Sequence, residues 1–388
     1  MREVDVYQGV SRAHTEVARH YSSPFLMGPP VCDELMALVE HMYTEEQADV
    51  VRHLKPWRPR TLRSLARASG RSVEEAGAVM KEIAHEKFLV LAYGKDWGAR
   101  ELFLLLPIVP GTFESALIRA SADSVTPWHR RFAELFEELF ETGFTTDYVK
   151  ARPLDAVRYL PVGESISDDS RALPSDRLGE MLERYDRFAV GVCQCRLTKQ
   201  LVGDGCGRAL ETCTTIGRLA PYLIEQGRAK SASLSDVLEI KAAAEKEGSV
   251  TWMMNFDGGG LGNASCSCCG CCCGALRTIS EFNTPGFVAP PRYVPRIGAD
   301  CNACLKCVKA CPMKALEGVE DSKTAPRHLR ERCIGCGLCA VSCGTGSITM
   351  EAVPEVPEPR RFAFELPRSI ARDLSNMLKV RALRKSAG

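Results

Sequence analysis

The chain has 388 residues, 45% of them apolar and 26% charged, with a net charge of +1. That balance suits a globular protein of two or three domains, and it excludes a disordered, collagenous or strongly basic chain. The longest apolar stretch, Leu102–Pro110, falls far short of a bilayer span, and the charged start MREVDVYQGVSRAH has no secretory apolar region. Of 19 cysteines, all but Cys32 fall between Cys193 and Cys343. Without an export signal the expected compartment is the cytoplasm, where so many thiols point to metal rather than disulfides.

Residues 1–43 read as a helical lead-in broken at SSPFLMGPP, with Cys32 expected as a small buried hydrophobe. Thr44, followed by Glu45, Glu46 and Gln47, resembles a capping box opening a helix to about Leu54. A helix over Thr61–Ala68 follows, then a turn at Gly70 and a helix from Ser72 to about Lys87. Val73, Ala76, Val79, Met80 and Ile83 line one face of the latter. Phe88–Tyr93 and Glu101–Leu106 form the arms of a hairpin. This order predicts a winged-helix-like domain over 44–110. Seven cations from Arg52 to Arg71 have no acid among them, a stretch that could face phosphate. Against this, the presumed recognition helix carries Glu74, Glu75, Glu82 and Glu86, a poor surface for a major groove. Protein docking or dimerisation is therefore favoured over DNA.

Residues 111–173 read as a helical connector. Its clear element, His129–Glu141, has an apolar stripe of Phe132, Leu135, Phe136, Leu139 and Phe140, suited to a core or to a homodimer face of the N-terminal region. Ile166–Pro174 reads as a polar linker. A cysteine-rich domain is expected over 174–290. Within it Ser233 and Asp236 open a helix that runs over Leu234–Glu247 and ends at Gly248. A ferredoxin domain is expected over 291–352. Residues 353–388 hold a Pro-rich linker and a basic helix over about Leu366–Arg384, which could meet an acidic partner or an anionic membrane surface. The fold class is thus an α+β multidomain protein.

The ferredoxin domain carries the most specific motif. Cys301, Cys304, Cys307 and Cys311 form C-x2-C-x2-C-x3-C, and Cys333, Cys336, Cys339 and Cys343 repeat it 32 residues later. Three thiolates of one run fit three corners of an iron–sulfur cube, while the fourth lies too far round and completes the other cube. One [4Fe–4S] cluster is therefore expected on Cys301, Cys304, Cys307 and Cys343. The other is expected on Cys333, Cys336, Cys339 and Cys311. Zinc sites use pairs of C-x2-C rather than such runs of four. Gly344 stands where the first run has Pro312, which removes no ligand.

Ten cysteines remain. Cys193 and Cys195 follow the strand-like run Phe188–Val192, Cys206 and Cys213 come soon after, and Cys266, Cys268, Cys269, Cys271, Cys272 and Cys273 crowd into eight residues. Free thiols at that density are an oxidation hazard unless metallated. The expectation is one [4Fe–4S] cluster on Cys193, Cys195, Cys206 and Cys213 and another on the Cys266–Cys273 loop, with structural zinc or a redox thiol array as alternatives. Arg196, Lys199 and Arg208 could offset thiolate charge. Arg196, Lys306 and Lys309 are candidates for tuning a cluster or steering a partner, as are Lys314 and Arg332. Gly258-Gly259-Gly260-Leu261-Gly262 lacks dinucleotide-loop spacing, and the seven histidines have no metal-binding spacing.

The order VCQCRLTKQLVGDGC…ETC, CSCCGCCCGALR and two ferredoxin runs resembles a family of cytoplasmic 4Fe–4S ferredoxin-type proteins of anaerobic bacteria and archaea. The resemblance extends upstream to the winged-helix-like segment and covers most of the chain apart from its termini. Ser267 stands where the family pattern has Asn. The resemblance implies cluster binding and electron transfer between redox partner proteins, with no settled reaction. A redox-sensing DNA-binding regulator, or a reductase subunit with a non-cubane or site-differentiated cluster at Cys266–Cys273, are the other readings.

Overall fold

The computed structural model describes residues 7–361, apart from 24–25, 27, 95–99, 148–156, 168, 170–171, 174–175, 258–262, 285–287, 319–322, 357 and 359. The predicted basic helix and the glycine-rich loop therefore lie outside the described residues. Two compact units divide the chain.

The first unit takes residues up to Ile118 together with Val125–Asp147. Helices α1 (Arg12–Tyr21), α2 (Asp33–Met42) and α3 (Glu45–Val51) lead it, and the expected Thr44–Gln47 capping box is present at α3. Then come β1 (Arg60–Thr61), α4 (Leu62–Ser69), α5 (Val73–Met80), β2 (Val90–Tyr93) and β3 (Leu102–Leu105). The three strands order as β1-β3-β2, all antiparallel. α4 ends on Gly70 at φ 69°, the left-handed cap that glycine adopts without a Cβ clash. α5 gives way after Met80 to a wider π-helical turn over Lys81–Glu86, so the expected helix does not run regularly to Lys87.

The basic stretch is partly consumed inside this unit. Arg71 pairs with Glu46 at 2.8 Å, and Arg52 pairs with Asp49 at 2.9 Å and Glu16 at 3.1 Å. Two helices follow: the short α6 (Phe113–Leu117) and the longer α7 (Pro127–Glu141). All five residues of the α7 stripe are buried within the unit, and Phe136 stacks on Phe113 at 3.9 Å between centroids. The stripe is therefore core and offers no dimer face. Cys32 is half-buried at the start of α2 rather than a buried hydrophobe.

The second unit takes Arg119–Ser124 and the described residues from Val157 onward. Its centre is a six-stranded sheet in the order β4-β8-β10-β6-β5-β7, antiparallel at every pairing. In chain order β4 (Val157–Leu160) precedes α8 (Leu178–Leu182), β5 (Phe188–Gly191), α9 (Gln194–Leu201) and β6 (Cys213–Ile216). Next are α10 (Leu219–Glu225), β7 (Lys230–Ala232), α11 (Leu234–Lys246), β8 (Val250–Met254) and β9 (Phe256–Asp257). β10 (Asn263–Cys268) and α12 (Gly274–Ser280) complete the cysteine-rich part. Residues 111–173 are thus not a helical connector throughout, because β4 belongs to this sheet. The polar linker expected at Ile166–Pro174 begins in a short 3-10 turn, Gly163–Ile166.

The ferredoxin part is closed by β11 (Tyr293–Ile297) against β14 (Ile348–Ala352), with Tyr293 opposite Ala352. Between them lie α13 (Lys306–Ala310), β12 (Leu316–Glu317), β13 (Arg327–His328) and α14 (Leu338–Val341). Beyond them β15 (Arg360–Arg361) pairs in parallel with β9.

Candidate metal centres

The two ferredoxin loops share one backbone device. Ala303 and Leu305 have φ of 55° and 56°, and the residues 32 positions later, Gly335 and Gly337, have 70° and 76°. Left-handed residues alternating with the cysteines curl backbone N–H groups inward, a concavity suited to an anionic group. Glycine adopts this freely, whereas a residue with Cβ is strained by about 1–2 kcal/mol. Such strain persists where the surroundings enforce it. Ala303→Gly should therefore raise stability by about 1 kcal/mol in anaerobic denaturant titrations once the freer unfolded chain is subtracted. A loss would mean that packing of the Ala303 methyl outweighs the relief.

The thiols of the two runs interleave. Burial, chiefly, pushes Cys333 up to about 11 and Cys339 up to about 12, and Cys311 adds to both. Cys336 also feels Cys311 as well as Cys333 and Cys339. Cys307, likewise raised by burial first, feels Cys301 and Cys343. Cys343 moves the other way: slight burial opposes its charge, but the Thr345 hydroxyl and nearby backbone N–H groups hold it below its ordinary value. Cys311 thus faces the second run and Cys343 the first. Cys307 and Cys339 share an apolar core with Tyr293, Leu316 and Ile348, while Cys304 is exposed. Lys306 and Lys309 stand exposed on α13, and Arg332 donates to Asn283 Oδ1 at 3.0 Å.

The ten other cysteines part into two groups, and not as the sequence predicted. Ser265 of β10 lies opposite Thr214 of β6, so one further step in that register sets Cys266 against Cys213, with Sγ atoms 3.9 Å apart. Residues two apart share a strand face, so Cys268 lies on the side of Cys266. Cys273 closes the turn as the residue before α12, and contacts both Cys195 and Cys268. Cys193 is the residue before α9, beside Cys266 and Cys273. Cys193, Cys195, Cys213, Cys266, Cys268 and Cys273 thus form one group.

Cys269 leaves the strand and turns the other way. Cys206, Cys269, Cys271 and Cys272 have Sγ atoms all within 4.8 Å of one another. Cys206 is therefore withdrawn from the expected set of Cys193, Cys195 and Cys213, and the Cys266–Cys273 loop supplies both groups. None of the cysteines is in a disulfide.

Charged side chains attend both groups. Arg196 is 2% exposed, and donates to Thr212 Oγ1 at 3.3 Å and to the carbonyls of Ala209 and Ser267. Burial disfavours its charge, yet Cys193, Cys269 and Cys206 more than restore it. Lys241, 1% exposed, donates to Ser265 O at 2.9 Å. Its burial lowers it below the ordinary lysine value, with Cys266 and Cys213 opposing. Sequence reasoning missed Lys241. Its only signal was a cation on the helix that packs over β10. Lys199 is turned to Asp204 at 2.6 Å.

The six-thiol group adjoins the second ferredoxin run. Cys268 and Cys273 share a core with Met313, Ile334 and Cys336, and Cys311 and Cys333 pack on its edge. A Cβ on Gly270 would stand 2.5 Å from Pro312 O, so only glycine fits between the two loops. Gly270→Ala should cost about 1–3 kcal/mol through overpacking, read as a lower denaturation midpoint. An unchanged midpoint would show that the loops separate freely.

The two ferredoxin loops fit iron–sulfur cubes by donor type and by the inward-turned backbone. Residues 300–348 match the 4Fe-4S dicluster domain family. This dicluster ferredoxin domain contains all eight cysteines of the two runs. The chain is also 36% identical over 94 residues to an uncharacterized ferredoxin of Methanocaldococcus jannaschii, a stretch covering 23% of this chain and 52% of that protein. The chain thus spans about half the length of the curated relative it matches. No solved structure matches the chain. The protein accordingly carries [4Fe–4S] clusters in a ferredoxin-type domain within a mixed helix-and-strand, multidomain fold. Among the described residues, no helix is long and apolar enough to cross a membrane.

Proposed function

We propose that the protein relays single electrons between redox partner proteins in the cytoplasm, through two ferredoxin clusters and a further one held by the six-thiol group. One observation carries the reading: that group shares a packed core with Cys336 and the edge of Cys311 and Cys333, while Cys339 shares the next core with Cys307. The three thiol sets therefore stand in file. A cube, when bound, supplies a one-electron couple with little ligand movement.

The first ferredoxin set would be Cys301, Cys304, Cys307 and Cys343, and the second Cys333, Cys336, Cys339 and Cys311. The further cluster would draw its ligands from Cys193, Cys195, Cys213, Cys266, Cys268 and Cys273. Exposed Cys304 marks the solvent end of the file, and Lys306 and Lys309 beside it would steer an acidic partner. Arg196 would balance charge at the buried end.

The helix, strand, helix, helix, hairpin order of α3, β1, α4, α5, β2 and β3 supports a winged-helix-like domain over 44–110. Its use would be protein docking, since Arg52 and Arg71 are already paired and Glu74 and Glu75 are exposed on α5.

The test is anaerobic purification with iron and acid-labile sulfide counts and reduced-state EPR. About twelve irons and twelve sulfides are expected per chain, with interacting signals. About eight would remove the third cluster, and a colourless, iron-free, folded protein would overturn the reading.

A further inference from the structure

The quartet Cys206, Cys269, Cys271 and Cys272 differs in kind from the two ferredoxin sets; the six-thiol group also holds a close pair, Cys213–Cys266 at 3.9 Å, but among the described residues only the quartet brings all its sulfurs together. All four sulfurs lie within 4.8 Å of one another, and the closest pairs, Cys206–Cys269 and Cys271–Cys272, are at 3.9 and 3.7 Å. One tetrahedral ion with metal–sulfur bonds of about 2.3 Å needs its ligands roughly 3.8 Å apart. A cube sets its thiolates wider, because four irons and four sulfides stand between them. In the ferredoxin sets, the cysteines act on one another across space, with no thiol–thiol hydrogen bond among the described residues.

The chemistry around the quartet fits a closed structural site. Four thiolates and one divalent ion sum to a charge of about −2, and two guanidinium groups meet it. Arg208 Nη1 lies 3.7 Å from Cys271 Sγ, its Nε donates to Glu247 O at 3.0 Å, and it also reaches Cys206. Arg196 reaches Cys269 from the buried side. Four sulfur ligands leave no open coordination position, and a closed tetrahedron of four thiolates is the common geometry of structural zinc.

We propose that Cys206, Cys269, Cys271 and Cys272 bind a single zinc ion. The ion ties the loop between α9 and β6 to the turn that begins α12. It thereby fixes Gly270, and with it the approach of the six-thiol group to Pro312. The site lies outside the file of clusters and carries no electron.

The test uses the full chain purified anaerobically. Elemental analysis should find about one zinc per chain beside the iron, and zinc-edge X-ray absorption should find four sulfurs at about 2.3 Å. Cys206→Ser and Cys271→Ser, both at positions reached by solvent, should each lose that zinc while the iron and sulfide counts and the ferredoxin EPR signals stay as in the parent. Absence of zinc from the parent protein would overturn the proposal. So would loss of about four irons and four sulfides in either variant, which would assign the quartet a cube. The parent measurement stands even where a variant fails to fold. Failure of the electron-transfer reading would appear separately, as missing ferredoxin EPR signals.

Discussion

Cys311→Ala should remove about four irons and four sulfides per chain and one reduced-state EPR signal, leaving the other ferredoxin signal in place. The cluster lost should be that of Cys333, Cys336 and Cys339. Those three thiols all feel Cys311, although it lies in the other sequence run. The local structure explains the reach. The Cys311 sulfur accepts from Ala315 N at 3.3 Å, and Cys311 packs on the core that holds Ile334 and Cys336 of the second loop. Cys301 remains with the first set, beside Cys307 and Cys343. A double variant separates the two arrangements. With crossed ligands, replacing Cys301 and Cys311 together strikes both clusters and removes about eight irons; with ligands drawn from one contiguous run it strikes one and removes about four. The smaller loss would refute the crossed assignment.

Local signals carried part of this fold and long-range pairing carried the rest. Ser233 and Asp236 announced α11, and the structure places the full capping box there, because a cap is decided within four residues. The ferredoxin runs were legible for the same reason: their spacing is a local constraint on one loop. β4 was not legible. Its four residues, Val157–Leu160, have no run of alternation, and they become a strand only by pairing with Met254–Thr251, far along the chain. β1 is two residues long and owes its existence to β3.

The division of the ten cysteines had a similar origin. Cys268 and Cys269 are adjacent in sequence, but the strand ends between them and their sulfurs part. Only the register of β10 on β6 decides that Cys213 meets Cys266 while Cys206 meets Cys269. The sequence held the ligands and not their partners.

Arg196→Met should destabilise the second unit by about 3–5 kcal/mol, the range for stripping one partner from a buried charge network. Arg196 is 2% exposed, and its two terminal nitrogens satisfy the carbonyls of Ala209 and Ser267 and the hydroxyl of Thr212. Methionine fills much of the volume but donates nothing, so those carbonyls lose their bonds inside the core. The charge matters as much as the bonds. Arg196 is the cation that both thiol groups feel, through Cys193 on one side and Cys269 and Cys206 on the other. Arg196→Lys separates the contributions. It keeps the charge but loses the planar fork that spans three acceptors, so it should recover part of the stability and more of the metal content. Anaerobic urea titration followed on the visible cluster absorbance gives the first quantity, and metal analysis gives the second. A methionine variant within about 1 kcal/mol of the parent, with full metal content, would show that Arg196 only fills space.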